Sequence, residues 1–278
     1  MPPETCRVSE HHTRADLFRS LHTPGTPLVL VNAWDAASAR IVAAAGVRAV
    51  ATTSAGVAWS LGAADGDVLG RDAAVDLVRR ITAAVSLPVT ADIESGYGAT
   101  PAEVGVTTRA VLGAGAVGVN VEDARRAAGP PLRDVPDQCA RIAAVRGAAD
   151  AAGLALYVNA RIDTFLSGAE DVDETVARAT AYLAAGADGI FVPGVVDPET
   201  IRALVRAVPA PLNVLAGPGA PRVGELARLG VARVSLGSSV AEAAYTVARR
   251  AADEALGAGT YGALADALDY GTLNALMK

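Results

Sequence analysis

The chain has 278 residues, 51% hydrophobic but only 4% aromatic, with a formal charge of −6. That is ample apolar material for a core of Ala, Val, Leu and Ile, and the acidic balance excludes a general binder of nucleic acid or anionic membrane. One lysine, the terminal Lys278, and three histidines that all precede the first strand (His11, His12, His22) exclude lysine Schiff-base and pyridoxal chemistry and argue against a Ser-His-Asp triad.

Residues 1–25 read as a polar N-terminal leader or helix, in which the adjacent His11 and His12 are most simply solvated, with a metal-binding role as the alternative. It has no apolar signal core, and no later run is long enough to span a bilayer, so a cytoplasmic protein is expected. Cys6 lies in this leader and Cys139 in a helical segment, which offers no disulfide framework. From 26 to 256, short β-rich runs alternate with alanine-rich helical segments. Strands are expected at 27–33, 49–54, 88–94, 116–122, 155–162, 189–194, 211–216 and 233–238. Several of the intervening helices start after Asp, Thr or Pro and stop at Gly. Eight strands alternating with helices predict an α/β fold, a single (β/α)8 TIM-type barrel. A doubly wound open sheet would carry a glycine fingerprint where "VNAWDAASAR" follows the first strand. Residues 257–278 form a C-terminal helical extension, more helix than one barrel requires, expected to cap the barrel or pack on a neighbouring subunit.

Chemistry in such a barrel sits where strands end. Strand 2 ends at Ser54, before Ala55 and Gly56 and a long loop carrying Asp65 and Asp67. Strand 3, "TADIESGYG", ends in Asp92 and Glu94, which side-chain alternation would put on one face. Strand 4 ends in Glu122 and Asp123, and strand 5 in Asn159, Arg161 and Asp163. Asn213 lies within strand 7. Acids converging without lysine or histidine suit Mg²⁺, a hard ion that takes oxygen ligands and keeps its waters. Zn²⁺ would want His or Cys. Arg161 would offer a fork to a substrate carboxylate. For any one acid the competing reading is a helix cap or salt bridge, and Arg161 could equally pair with Asp163 or a barrel acid. Cys139 reads as inert, and Asn213 as either a barrel strut or a substrate contact.

The pieces "NAWDAASAR", "ATTSAGVAWSLGAADGD", "ADIESGYG", "GVNVEDA" and "VNARIDTFL", in order at successive strand ends, resemble the phosphoenolpyruvate mutase/isocitrate lyase superfamily. The resemblance implies Mg²⁺ (with Mn²⁺ as a substitute) bound by Asp92, with Glu94 and Glu122 holding it largely through water and Asp65 closing the acidic set. It implies that Ser54 and the N–H groups of Ala55 and Gly56 hold substrate oxygens and that Arg161 binds the carboxylate. It also implies homotetramers with an exchanged C-terminal helix. The expected activity is a Mg²⁺-dependent lyase acting on a 2-oxo or dicarboxylic acid through an enolate, for example in decarboxylation of an oxaloacetate-like acid. Tyr97, Arg125 and Arg126 are candidates for proton delivery or for recognition of a second carboxylate. Two departures stand out: "EDARRAAGPPLRDVPDQ" lacks the catalytic Cys, Lys and His of the lyase loop and the Lys-x-Asn of phosphonate-handling members, and Pro193 stands where the mutase has histidine. Phosphorus–carbon chemistry therefore stays open beside the lyase reading. So do a phosphate-binding isomerase or synthase using "LAGPGA" and "SLGSS", and a non-catalytic dicarboxylate binder.

Overall fold

The computed structural model describes residues 4–125 and 131–278. Its strands are β1 (Leu28–Leu30), β2 (Asn32–Ala33), β3 (Val50–Thr52), β4 (Val89–Asp92), β5 (Gly118–Glu122), β6 (Tyr157–Arg161), β7 (Gly189–Val192), β8 (Leu212–Leu215) and β9 (Arg233–Ser235). All pairings are parallel, in the order β1-β9-β8-β7-β6-β5-β4-β3-β2. β1 and β2 are two halves of one extended run broken at Val31. One half pairs with β9 and the other with β3, so both edges of the sheet belong to the same run and the ring closes on itself. This is the expected TIM-type barrel, with nine segments because the first strand serves both edges.

The helices are α1 (Glu4–Ser20), α2 (Ala36–Ala44), α3 (Ser54–Ser60), α4 (Arg71–Ala84), α5 (Pro101–Gly113), α6 (Val135–Ala151), α7 (Val172–Ala184), α8 (Pro198–Ala207), α9 (Val223–Leu229), α10 (Ser239–Gly257) and α11 (Tyr270–Leu276). Their starts follow from local chemistry. Asp35, Thr100, Asp134, Asp171 and Asp197 each accept the N–H three residues on, and Pro opens α5 and α8. Each such cap is worth about 1 kcal/mol. Packing follows from periodicity. In α4 the buried residues include Ala74, Leu77, Val78 and Ile81, an i, i+3, i+4, i+7 stripe laid on the sheet.

Two features differ from expectation. The leader is a helix with only one side solvated: α1 closes the N-terminal end of the barrel, because Ala15 and Phe18, with Leu21 just past its end, form an apolar face that is buried there. His22 stacks on Tyr157 with centroids 3.8 Å apart, and its Nδ1 meets the Phe18 carbonyl at 2.9 Å. Burial pulls His22 down to about 3, so the ring is neutral. His11 is tied to the Ala116 carbonyl at 3.0 Å. Gly118 makes this closure possible, since a Cβ there would come within 2.6 Å of Phe18 Cε1. The second feature is α10, where only Ala241 of 19 residues is buried. Among the described residues no helix is long and apolar enough to cross a membrane.

Candidate active site

β4 stops at Asp92, so Glu94 is not a strand residue. Its φ of 51° puts it in the left-handed region, as does the 48° of Tyr97. The alternation that would align Asp92 with Glu94 therefore does not apply. The chain turns instead, and the Glu94 N–H donates back to Asp92 Oδ1 at 3.1 Å. Non-glycine residues hold such backbone only when their surroundings compel it. Here Arg141, fully buried on α6, donates to the carbonyls of Ser95, Gly98 and Ala99 at 3.4, 2.9 and 2.8 Å.

The Glu94 carboxylate is already engaged. Its Oε2 accepts the N–H groups of Gly66 (2.9 Å) and Asp67, and its Oε1 accepts the Tyr97 hydroxyl at 2.8 Å. It thereby pins the loop after β3, which carries Asp65, against the β4 turn. Burial pushes the Glu94 carboxyl up to about 7, with further upward pressure from Asp92 and Asp65. Burial and the Glu94 charge likewise push the Tyr97 hydroxyl up.

Asp92 accepts the Ser54 hydroxyl at 3.3 Å, and its own N–H donates to Thr52 Oγ1 at 2.8 Å. Burial raises its carboxyl, the Arg161 charge opposes this, and Asp65 adds to the rise. Ser54, read as the end of a strand, is the first residue of α3, and Ala55 and Gly56 follow in that first turn, where backbone N–H groups lack intrahelical partners. Gly56 has no space for a side chain, since a Cβ would lie 2.8 Å from Trp34 Cβ and from Thr53 Cγ2.

From Glu122 and Arg161 at the mouth, successive register partners run through Phe191 and Asn213 down into the barrel interior to Arg233, the first residue of β9, whose Nη2 donates to Asn120 Oδ1 at 3.2 Å. Arg161 Nη1 meets Glu122 Oε2 at 2.7 Å, while Nε and Nη2 grip Asp163 at 2.6 and 2.8 Å. Burial disfavours its charge, but Glu122, Asp163 and Asp92 outweigh that and push Arg161 up. Asn213 is fully buried, and its Oδ1 accepts the Ser235 hydroxyl at 3.2 Å. Arg125 is exposed where the chain leaves β5, and its N–H donates to the Pro131 carbonyl at 2.7 Å. Arg126 lies outside the described residues. Cys139 is a free thiol within α6. The "SLGSS" amides are taken in part: the N–H groups of Leu236 and Gly237 donate to Asn32 Oδ1 at 3.1 and 2.9 Å.

A sequence profile of the phosphoenolpyruvate phosphomutase family matches residues 18–256. The chain belongs to this family. An uncharacterized Mycobacterium tuberculosis protein is 38% identical over 236 residues, covering 84% of this chain and 87% of that one. The 2-methylisocitrate lyase of Escherichia coli K12 is 30% identical over 206 residues, 72% of this chain and 69% of that enzyme. A solved structure from Burkholderia cenocepacia J2315 is 42% identical, with a TM-score of 0.90 and 96% of both chains covered. Family membership extends to the wider phosphoenolpyruvate mutase/isocitrate lyase superfamily, whose members are lyases and mutases.

Whether the residues present suit a metal can be judged from the donor set. Glu122, Asp163 and Asp92 act on Arg161, and Asp65 and Glu94 crowd in beside Asp92, so the charged donors are carboxylates. Among the described residues, no three His, Cys, Asp or Glu side chains come together tightly enough to hold an ion by themselves. Such a set fits Mg²⁺, which takes one or two carboxylates and completes its octahedron with water and substrate. Sequence reasoning missed Arg141, Arg178 and Tyr182, whose roles depend on contacts with residues 40 or more positions away.

Proposed function

We propose that the chain is a Mg²⁺-dependent lyase that breaks or forms a carbon–carbon bond next to the carbonyl of a 2-oxo or dicarboxylic acid. The observation that carries this reading is the charge imbalance at the barrel mouth. Asp92, partly buried at a strand end and raised by its surroundings, shares Arg161 with Glu122 and Asp163. Asp92 would hold the ion directly and Glu94 and Glu122 through water, with Asp65 completing the set. When bound, Mg²⁺ (or Mn²⁺) supplies a Lewis acid for the oxygen on which charge develops.

The chain's own residues do the rest. A guanidinium has five N–H donors, and the contacts to Glu122 and Asp163 use three. Arg161 would present the remainder to the substrate carboxylate. The Ser54 hydroxyl and the amides of Ala55 and Gly56 would orient substrate oxygens. Tyr97 would deliver a proton as a pair with Glu94, whose Oε1 accepts its O–H at 2.8 Å, since burial makes the phenol alone a weaker acid. Arg125 would meet a second carboxylate, whereas Asn213 serves as a strut of the barrel interior. Decarboxylation of an oxaloacetate-like acid needs an electron sink and one proton donor, and asks nothing of the missing cysteine, lysine and histidine. It is therefore favoured over phosphorus–carbon chemistry. The exposed α10 supports assembly as a homotetramer with exchanged C-terminal helices.

The test is calorimetric titration of oxalate, an enolate mimic, into metal-stripped protein with and without Mg²⁺, repeated with Asp92→Ala. Binding that needs both the metal and Asp92 is expected, followed by turnover in a screen of 2-oxo acids. Binding indifferent to either would overturn the reading.

A further inference from the structure

Asp123 follows Glu122 at the end of β5, and its carboxylate is fully buried. A buried carboxylate persists only with partners, and this one has three. Tyr182 O–H donates to Oδ2 at 2.9 Å and Arg178 Nη1 donates to Oδ2 at 3.2 Å, both from α7. The third donor is the backbone N–H of Asp163, which reaches Oδ1 at 2.9 Å.

That third contact links the cluster to the mouth of the barrel. Asp163 is the residue whose carboxylate grips Arg161 through Nε and Nη2. Asp123 therefore fixes the main chain of Arg161's partner. It also fixes the main chain of Arg161 itself, since the Asp123 N–H donates to the Arg161 carbonyl at 3.2 Å. Arg178 is held in turn: Nε reaches Glu174 at 2.9 Å, and Nη1 donates to the Tyr182 oxygen at 3.1 Å and to the Arg133 carbonyl at 2.9 Å. The Arg133 N–H closes the circuit on the Asp123 carbonyl at 2.8 Å. Arg178 thus ties together Asp123 and Arg133, the two residues flanking the connection that leads from β5 towards α6.

The cluster is dearer than packing alone demands. Holding α7 on the sheet requires apolar contact, which Ala179 and the Tyr182 ring provide. An Asp, an Arg and a phenol buried together add desolvation that only good geometry offsets. Besides holding Arg133, the cluster leads through the Asp163 and Arg161 main chain to one guanidinium.

We infer that Tyr182, Arg178 and Asp123 are positioning residues for Arg161, acting through Asp163. The inference rests on the reading that Arg161 receives the substrate carboxylate. It goes beyond that reading by placing part of the site's precision on a helix at the barrel's outer surface, where no substrate reaches.

Tyr182→Phe keeps the ring and removes one O–H. Oxalate is titrated into the Mg²⁺-loaded variant, and Mg²⁺ alone into the stripped variant, with thermal unfolding as a control. The expected result is oxalate affinity weakened on the order of tenfold, the usual scale for losing an outer-shell partner, with Mg²⁺ affinity within about twofold of the unaltered protein. In an Asp163→Asn background the same change should add less, because the side-chain grip on Arg161 has already been weakened and only the Asp123 N–H to the Arg161 carbonyl still carries the effect. If Tyr182→Phe fails to fold, Arg178→Lys, which keeps the charge and loses the fork, takes its place with the same expectation. Unchanged oxalate affinity would overturn the inference. So would parallel loss of oxalate, Mg²⁺ and thermal stability, or a full additional loss in the Asp163→Asn background. Failure of the unaltered protein to bind oxalate at all would instead strike the functional reading, and the inference with it.

Discussion

Glu94 makes a prediction about stability that can be worked through in numbers. Its carboxyl is pushed from an ordinary 4.5 up to about 7, chiefly by burial. The folded protein therefore binds a proton there that the unfolded chain releases at lower pH. The stabilisation associated with that proton is fully present below 4.5 and is lost as pH rises through about 7. At about 1.36 kcal/mol for each pH unit, the interval amounts to roughly 3 kcal/mol. Asp123, pushed up to about 6 mainly by burial, adds a loss of the same sign, so the wild-type curve alone would not isolate Glu94. The comparison with Glu94→Gln does. Its amide oxygen still accepts the Gly66 and Asp67 amides, while its NH₂ faces a Tyr97 hydroxyl that can turn round and accept. Urea unfolding of metal-free protein should be run at several pH values from 4.5 to 8.5. The stability difference should move in favour of Glu94→Gln by up to about 3 kcal/mol across that range. A difference that stays flat with pH would refute the argument that a desolvated carboxyl lies under the loop after β3.

Other expectations follow from single contacts. Arg141→Met leaves the carbonyls of Ser95, Gly98 and Ala99 without their buried donor, so denaturant unfolding should show a loss of about 3 kcal/mol or more; a loss under 1 would mean that the turn holds itself. Gly118→Ala puts a methyl 2.6 Å from Phe18 Cε1 and 2.9 Å from Thr90 Oγ1, which should cost about 1–3 kcal/mol and loosen α1, seen as faster hydrogen exchange in residues 9–20. Cys139→Ala should change stability by no more than about 1 kcal/mol and leave Mg²⁺-dependent oxalate binding intact, since Cys139 lies within α6 whereas Asp92 and Glu122 end β4 and β5.

The barrel was legible because its signals are local. Alternating β-rich and alanine-rich runs, Asp or Thr before helices and Gly after them all act within a few residues. Asp92 and Arg161 were legible as strand ends for the same reason. Glu94 was not, because alternation holds only while the chain stays extended, and the left-handed turn that ends β4 is enforced by Arg141 from a helix more than 40 residues later. Ser54 reads from sequence as a strand end, since "ATTSAG" has strand composition up to the residue where α3 begins. The plug formed by α1 was hidden by the polarity of residues 1–14; its apolar face is only three residues wide, and the site that receives it appears in the sequence merely as the absence of a side chain at Gly118.

The divided first strand has a consequence for how the chain is made. Its two halves pair with segments far apart in the sequence, β3 and β9, with Asn32 accepting from Leu236, 204 residues away. During synthesis from the N-terminus, β2 and β3 can pair early, but β1 must wait with an open edge until β9 emerges. The acids of β4 and β5 and the arginine of β6 can come together while the ring is still an open, curling sheet. An interrupted strand at the seam suits that schedule, because a break at Val31 lets one half be occupied while the other stays unpaired. The last contacts to form are then the ones that seal the edge, and until they do the nascent chain carries the unpaired strand that invites association with its neighbours.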